Sequence, residues 1–231
     1  MTNQVRTIST NILHNDCALF HALNNDEMEM IASIARQKDM VSHQYLFHQH
    51  SPANRVYNVI EGTAMVERTS SSGRRQILGF LFPGDFIGLT HSNYFEYSVK
   101  SLSKAKLCEF QREGLLALAE KLPNLKSNVE QISANVLARA LDQIYILGQK
   151  KAHERLCFLF IQMLERMPGA TPQQIDLPMT RQDIADYLGL TIDTVSRSFA
   201  KLKQEGLIAT PSPQRLQILD LEQTESLASA E

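Results

Sequence analysis

No stretch of this 231-residue chain approaches the roughly 18–20 consecutive apolar residues of a membrane-spanning helix. Residues 1–11 are polar and rich in Thr, Ser and Asn, and lack the apolar core of a secretion signal. These two absences argue against a membrane partner, and the expected location is the cytoplasm. Cysteine is scarce. Cys17, Cys108 and Cys157 are odd in number and far apart, which argues against a disulfide framework. The strongly basic balance of many nucleic-acid binders is also missing: Lys and Arg total 23 against 25 Asp and Glu, for a net charge of -2. Any nucleic-acid signal must therefore be local. No Ser/His/Asp arrangement, phosphate-binding loop or paired-carboxylate motif is present, so neither catalytic residues nor enzymatic activity are expected. At 43% hydrophobic and 21% charged residues, the composition is ordinary for a globular protein of one large or two modest domains.

The pattern along the chain changes twice. A short helical lead-in over residues 26–37 places Met28, Ile31 and Ile34 at helical spacing. Residues 39–110 then read as short β segments punctuated by Gly62, Gly73, Pro83, Gly84 and Gly88, the signature of a small sandwich or barrel. Residues 122–147 are helical, opening with Pro123 in the first turn. Val129, Ile132 and Val136 form one apolar stripe; Leu137, Ala140, Ile144 and Leu147 form another. One stripe can pack on its own domain and the other on the same helix of a second subunit, as a short coiled coil; burial of both within one subunit is the alternative. Ala140 is small and uncharged, so nothing at mid-seam opposes pairing of like helices. Gly148 reads as a hinge, residues 151–167 as a further helix, residues 168–178 as a loop, and the small polar residues 224–231 as a frayed end.

Residues 179–208 are the most informative. Thr180 can cap a helix with Asp183 three residues on, and Ile184, Ala185 and Leu188 give that helix an apolar face. Gly189 allows a tight turn. Thr191 then caps a second helix, with Ile192, Val195, Phe199 and Leu202 as its expected buried face. Asp193, Ser196 and Arg197 are left near its N-terminal end, the layout of a helix-turn-helix recognition helix facing a major groove of double-stranded DNA. Arg197 can make a bidentate contact with guanine. Asp193 can accept from cytosine N4 or hold the guanidinium in plane, and Ser196 can meet a base edge. Thr180, Arg181, Gln182, Thr191, Thr194 and Lys201 cluster at helix starts and flanks, where phosphates are held. Residues 207–219, turning at Pro211-Ser-Pro213, read as a two-stranded wing. The competing reading is that Asp193 and Arg197 form a solvated pair on an ordinary helix. The complete helix-turn-helix-wing order favours DNA.

Together these segments resemble the Crp/Fnr superfamily of bacterial regulators, in particular its Fnr/FixK branch, over nearly the whole chain. Asp183-Ile-Ala-Asp-Tyr-Leu-Gly-Leu-Thr-Ile-Asp-Thr-Val-Ser-Arg197 resembles that branch's recognition motif. Leu122-Pro-Asn-Leu125 and Lys151-Ala-His-Glu-Arg-Leu156 resemble the ends of its dimer-helix region, and Pro83-Gly-Asp-Phe-Ile-Gly88 looks like its β-roll signature. The resemblance implies an α+β protein with a cyclic-nucleotide-binding-like β-roll (residues 1–120), a dimerisation helix (121–148) and a winged helix-turn-helix (149–231). It also implies a homodimer on a two-fold site of the TTG…CAA kind, read by Asp193, Ser196 and Arg197, and a contact between residues 70–75 and RNA polymerase, although by its own residues that segment reads as a simple polar hairpin turn. Asp193 stands where the family usually has Glu, and its shorter arm bears on the half-site.

Cyclic-nucleotide binders of this family carry a Glu after the β-roll Gly and a later Arg-Ser pair. Here Leu89 follows Gly88 and the later pair is Tyr97-Ser98, so both charges are missing and no cyclic AMP binding is expected. Cys108 sits where the oxygen-sensing branch has its fourth cluster ligand. An all-cysteine cluster needs four thiolates, and only Cys17 stands near the N-terminus. His14, Asp16 and His21 are the residues from which an unusual cluster would draw. His48 and His50 have the His-x-His spacing of cupin enzymes but lack the carboxylate that follows it there. No metal or other cofactor is expected. Haem, an unusual cluster or a small ligand in the β-roll is the alternative reading, and a cupin-like metal enzyme a more remote one.

Overall fold

A computed structural model of the protein describes residues 17–229. A 3-10 turn, Ala18–Phe20, leads into α1, Asn25–Ile34. Its capping box is reciprocal: Asn24 Oδ1 accepts from the Glu27 amide and Glu27 Oε2 from the Asn24 amide, both at 2.9 Å. Strands follow at Ala35–Met40 (β1), Tyr45–Phe47 (β2), Arg55–Glu61 (β3), Ala64–Thr69 (β4), Arg75–Leu81 (β5), Phe86–Ile87 (β6), Ser98–Ser101 (β7) and Ala105–Gln111 (β8). They form two four-stranded sheets, ordered β1-β8-β3-β6 and β2-β7-β4-β5. The expected lead-in helix is therefore too long: it stops at Ile34, and Ala35 already pairs with Phe110 in the sheet.

Two apolar clusters hold this region. Met40, Phe47, Tyr57, Val59, Ile87, Phe95, Val99 and Leu107 form one. The other joins α1 (Met28, Ile31), strand residues Val56 and Phe110, Leu115 of α2 (Arg112–Ala119), and Leu125 and Ile132 of α3 (Pro123–Gln149). Gly148 lies inside α3 rather than between helices. Val136, expected on the buried stripe with Val129 and Ile132, is exposed.

The C-terminal elements are α4 (Ala152–Arg166), β9 (Ile175–Asp176), α5 (Arg181–Leu188), α6 (Ile192–Gln204), β10 (Ile208–Ser212), β11 (Arg215–Ile218) and α7 (Leu221–Ala228). The strands form one sheet, ordered β10-β11-β9. Two expectations are corrected. The 168–178 loop contains β9, and of the end expected to fray, residues 224–228 belong to a helix, while 230 and 231 lie outside the described residues. Asp220 caps α7, accepting from the Gln223 amide at 3.0 Å, and Thr224 and Ala228 are buried. Hydropathy missed α7 because its buried side chains are a threonine and an alanine. The chain divides into two compact units: residues up to Thr69 with Gly79–Leu137, and Ser70–Leu78 with Ala138 onward. No helix among the described residues is long and apolar enough to cross a membrane.

Candidate nucleic-acid interface

The capping signals seen in the sequence act as local structure demands. Thr180 Oγ1 accepts from the Asp183 amide at 3.1 Å, while Asp183 Oδ2 accepts from the Thr180 amide at 2.9 Å. Burial alone would raise the Asp183 carboxyl. Hydrogen bonds from Thr180 and the Arg75 guanidinium outweigh it and hold the carboxyl below its ordinary value. Gly189 ends α5 in the left-handed region at φ 64°, where a side chain is strained. Thr191 caps α6, accepting from the Thr194 amide at 3.2 Å.

α6 buries Val195, Ser198, Phe199 and Leu202. Phe199 meets Phe160 of α4 edge to face, with ring centroids 5.3 Å apart. Seating that stripe leaves Asp193, Ser196, Arg197 and Ala200 on the open side at i, i+3, i+4 and i+7, all exposed. Among the described residues Arg197 makes no ion pair or hydrogen bond, and the solvated Asp193–Arg197 pair does not form. The Ser196 hydroxyl donates to the Ile192 carbonyl at 2.9 Å and keeps its lone pairs for an incoming donor.

Ile192 corrects the sequence reading. It was expected on the buried face but is 44% exposed. As the first helical residue it has no preceding turn to pack over, and its side chain leans toward the helix N-terminus, beside Asp193. Its place in the helix, straight after the Thr191 cap, was the available signal.

The flanking candidates differ in what already engages them. Thr180 and Thr191 act as caps, with their side chains exposed, and the Thr194 and Thr191 hydroxyl oxygens lie 2.9 Å apart. Gln182 donates to Asp186 Oδ1 at 2.7 Å. Arg181 lies half-buried over the Phe199 ring, its guanidinium carbon 3.4 Å from the ring centroid, and burial pulls its pKa down. Lys201 lies 3.0 Å from His153 Nε2 and 3.7 Å from Glu205. An ammonium only donates, so His153 is the acceptor and must be neutral. Its pKa is lowered, first by burial and then by the Lys201 charge.

On α3, Leu137, Leu141 and Ile144 are 61%, 57% and 66% exposed. Ala140, between them, is also open. Leu147 differs: it is half-buried, with Cδ2 3.7 Å from where a Gly189 Cβ would stand. The open apolar line thus includes Leu141, which the spacing argument omitted.

Cys17, Cys108 and Cys157 are all buried. Burial pushes the Cys17 thiol up to about 11, the Cys157 thiol to about 12, and Cys108 higher still. Thiolate, the reactive form, is then suppressed at least about hundredfold relative to a free cysteine. Iodoacetamide at pH 7.5 is expected to label none of the three within minutes in the folded protein, and all three after unfolding. Rapid native labelling of any one would refute this placement. Among the described residues no three His, Cys, Asp or Glu side chains gather as a metal site would require. His14 and Asp16 lie outside those residues.

Comparison with known proteins places these features in a family. A cyclic nucleotide-binding domain model matches residues 37–121, and a Crp-like helix-turn-helix domain model matches residues 154–227. The transcriptional activatory protein AadR of Rhodopseudomonas palustris is 36% identical, over 93% of this chain and 89% of its own length. The nitrogen fixation regulation protein FixK of Bradyrhizobium diazoefficiens is 33% identical over 93% of both chains. The structure of FixK2 from Bradyrhizobium japonicum superposes with a TM-score of 0.80 at 28% identity, covering 86% of this chain and 99% of that one. With its β-roll, long helix and capped helix-turn-helix, the chain belongs to the Crp/Fnr family of DNA-binding transcription regulators, which act as dimers and are not enzymes.

Proposed function

We propose that this protein is a cytoplasmic transcription activator that binds, as a homodimer, a palindromic site with TTG…CAA-like halves. The observation that carries this reading is the open α6 face of Asp193, Ser196 and Arg197, on which Arg197 has no partner among the described residues. Arg197 takes the half-site guanine through O6 and N7, Asp193 accepts from the cytosine amine, and Ser196 meets an adjacent base edge. Ile192 supplies an apolar contact to a thymine methyl. Thr180, Arg181, Gln182, Thr191, Thr194 and Lys201 hold the flanking phosphates. The homodimer closes along Leu137, Ala140, Leu141 and Ile144, with Leu147 at the edge of the seam.

The dimer assembles without an effector, and cyclic AMP is not a ligand. Several features support this. Leu89 and Tyr97 stand where cyclic-nucleotide binders carry charge. Phe47, Phe95 and Tyr97 crowd together, with the Phe47 and Phe95 rings stacked at 3.6 Å between centroids. Burial in this cluster raises the Tyr97 hydroxyl pKa.

The exposed turn at residues 70–74 is the surface offered to RNA polymerase. The name of one relative, a nitrogen fixation regulator, supports a role in nitrogen-metabolism control, and the resemblance to the Fnr/FixK branch extends the reading to low-oxygen or respiratory control. Selection of random-sequence duplexes by purified protein, with no ligand added, tests the reading. Recovery of a palindrome with TTG…CAA-like halves is expected. Enrichment only after a small molecule is added would overturn the effector-free dimer, and no enrichment under either condition would overturn the DNA reading.

A further inference from the structure

An eight-residue helix such as α5 leaves four C-terminal carbonyls without intrahelical partners. Here every one is accounted for. The Ala185 carbonyl accepts from the Leu190 amide at 3.0 Å. The other three are met by side chains from separate segments of the same compact unit. Gln76 Nε2 donates to the Asp186 carbonyl at 2.5 Å, Gln143 Nε2 to the Tyr187 carbonyl at 3.1 Å, and Arg155 Nη1 to the Leu188 carbonyl at 2.9 Å. Toward its other end, α5 carries two carboxylates facing one cation. Arg75 Nη2 lies 2.7 Å from Asp183 Oδ1 and 2.6 Å from Asp186 Oδ2, and Arg75 Nε donates to that same Asp186 oxygen at 2.7 Å.

This arrangement has an electrostatic consequence for DNA. Asp183 and Asp186 share α5 with Thr180, Arg181 and Gln182, the proposed phosphate contacts, and Gln182 itself donates to Asp186. Two uncompensated carboxylates there would repel the phosphate backbone. A half-buried guanidinium shared between them offsets one of the two negative charges and fixes the orientation of both carboxylates.

We propose that Arg75 and Gln76, about a hundred residues upstream of the helix-turn-helix, are positioning residues for DNA binding. Gln76 and Arg75 seat α5, and Arg75 offsets one of the charges of its two carboxylates, so that α6 is presented in the geometry the groove requires. This rests on the DNA-binding reading above and adds to it a segment outside the motif.

The test measures binding of a fluorescent palindromic duplex by wild type, R75Q, R75K and R75Q/D186N across a salt series. R75Q is expected to bind about tenfold more weakly, the scale of coupling within one ion-pair network. Its loss should be greater on the cognate site, which alone needs α6 correctly presented, and should shrink as salt screens the unmasked repulsion. R75K, which keeps one ion pair, should be intermediate, and it carries the test if R75Q fails to fold. D186N should restore most of the R75Q loss, because it removes one of the carboxylates left exposed. Wild-type affinity in R75Q would overturn the inference. So would a loss equal on cognate and base-substituted sites that D186N leaves unchanged, since Arg75 would then be a direct phosphate contact. Failure of D186N to rescue would overturn the neutralisation argument. A wild-type protein that bound no palindrome would instead fail the functional reading itself, so the two failures are distinguishable.

Discussion

Replacing Arg197 with Ala is expected to remove about 1–3 kcal/mol of discrimination between the cognate half-site and one whose guanine has been changed. The loss should fall on specificity. Arg197 stands on the exposed face of α6 with no ion pair among the described residues, so its removal leaves no internal partner stranded and the fold intact. Binding to non-cognate duplex rests on phosphates, which the flanking residues are proposed to hold, and should change much less. Arg197→Lys keeps the charge but loses the planar fork, and should lose nearly as much discrimination as Ala. Competition titrations with cognate and guanine-substituted duplexes at one fixed salt concentration check this. Equal loss on both duplexes would make Arg197 a phosphate contact instead.

The second large effect concerns the open stripe on α3. In a two-fold dimer a substitution at the seam appears twice, and like charges then face each other across the axis. Leu141 and Ile144 are more than half exposed in the single chain, and each side chain stabilises a dimer by about 1.5–3 kcal/mol if fully buried there. Leu141→Glu or Ile144→Glu should therefore raise the dimer dissociation constant at least about thirtyfold, the level of an interface hot spot. Operator affinity should fall with it, because a monomer engages one half-site. Leu147→Glu should act differently. Leu147 is half-buried near Gly189, so the charge should lower the melting temperature of the C-terminal unit more than it weakens the dimer. Sedimentation velocity at about 1 µM, paired with thermal melts, separates the two effects; a pair-for-pair identical response would remove Leu141 from the interface.

These residues also mark how far the sequence could be read. The helix-turn-helix was legible because its signals are local: Thr180 and Thr191 are caps, and Gly189 is a turn residue whose left-handed backbone strains any side chain. The open positions of Asp193, Ser196 and Arg197 followed from the stripe of Val195, Phe199 and Leu202. Ile192 was misplaced because periodicity assumes a full turn on either side, and the first residue of a helix lacks one. The α3 seam was half legible: two interleaved stripes showed that the helix has two faces, but choosing between Leu141 and Leu147 depends on where Gly189 lies in space. α7 was invisible to hydropathy, since threonine and alanine fill its buried positions. The α1–β1 junction was misread because helical spacing through Ile34 ran on into residues that the pairing of Ala35 with Phe110 draws into a sheet. Least legible was the role of Arg75. Its residue type and its turn suggest only a surface hairpin, and nothing short of the folded chain brings it to Asp183 and Asp186.

The central claim is that an effector-free dimer reads two inverted half-sites, one α6 helix to each. The most direct test is the number of chains bound per duplex, measured by sedimentation of purified protein with a labelled duplex carrying the selected palindrome and no added ligand. Two chains per duplex at saturation, falling to weak single occupancy when one half-site is scrambled, is the predicted result. One chain per intact palindrome, or two only after a cyclic nucleotide or metal is supplied, would contradict it.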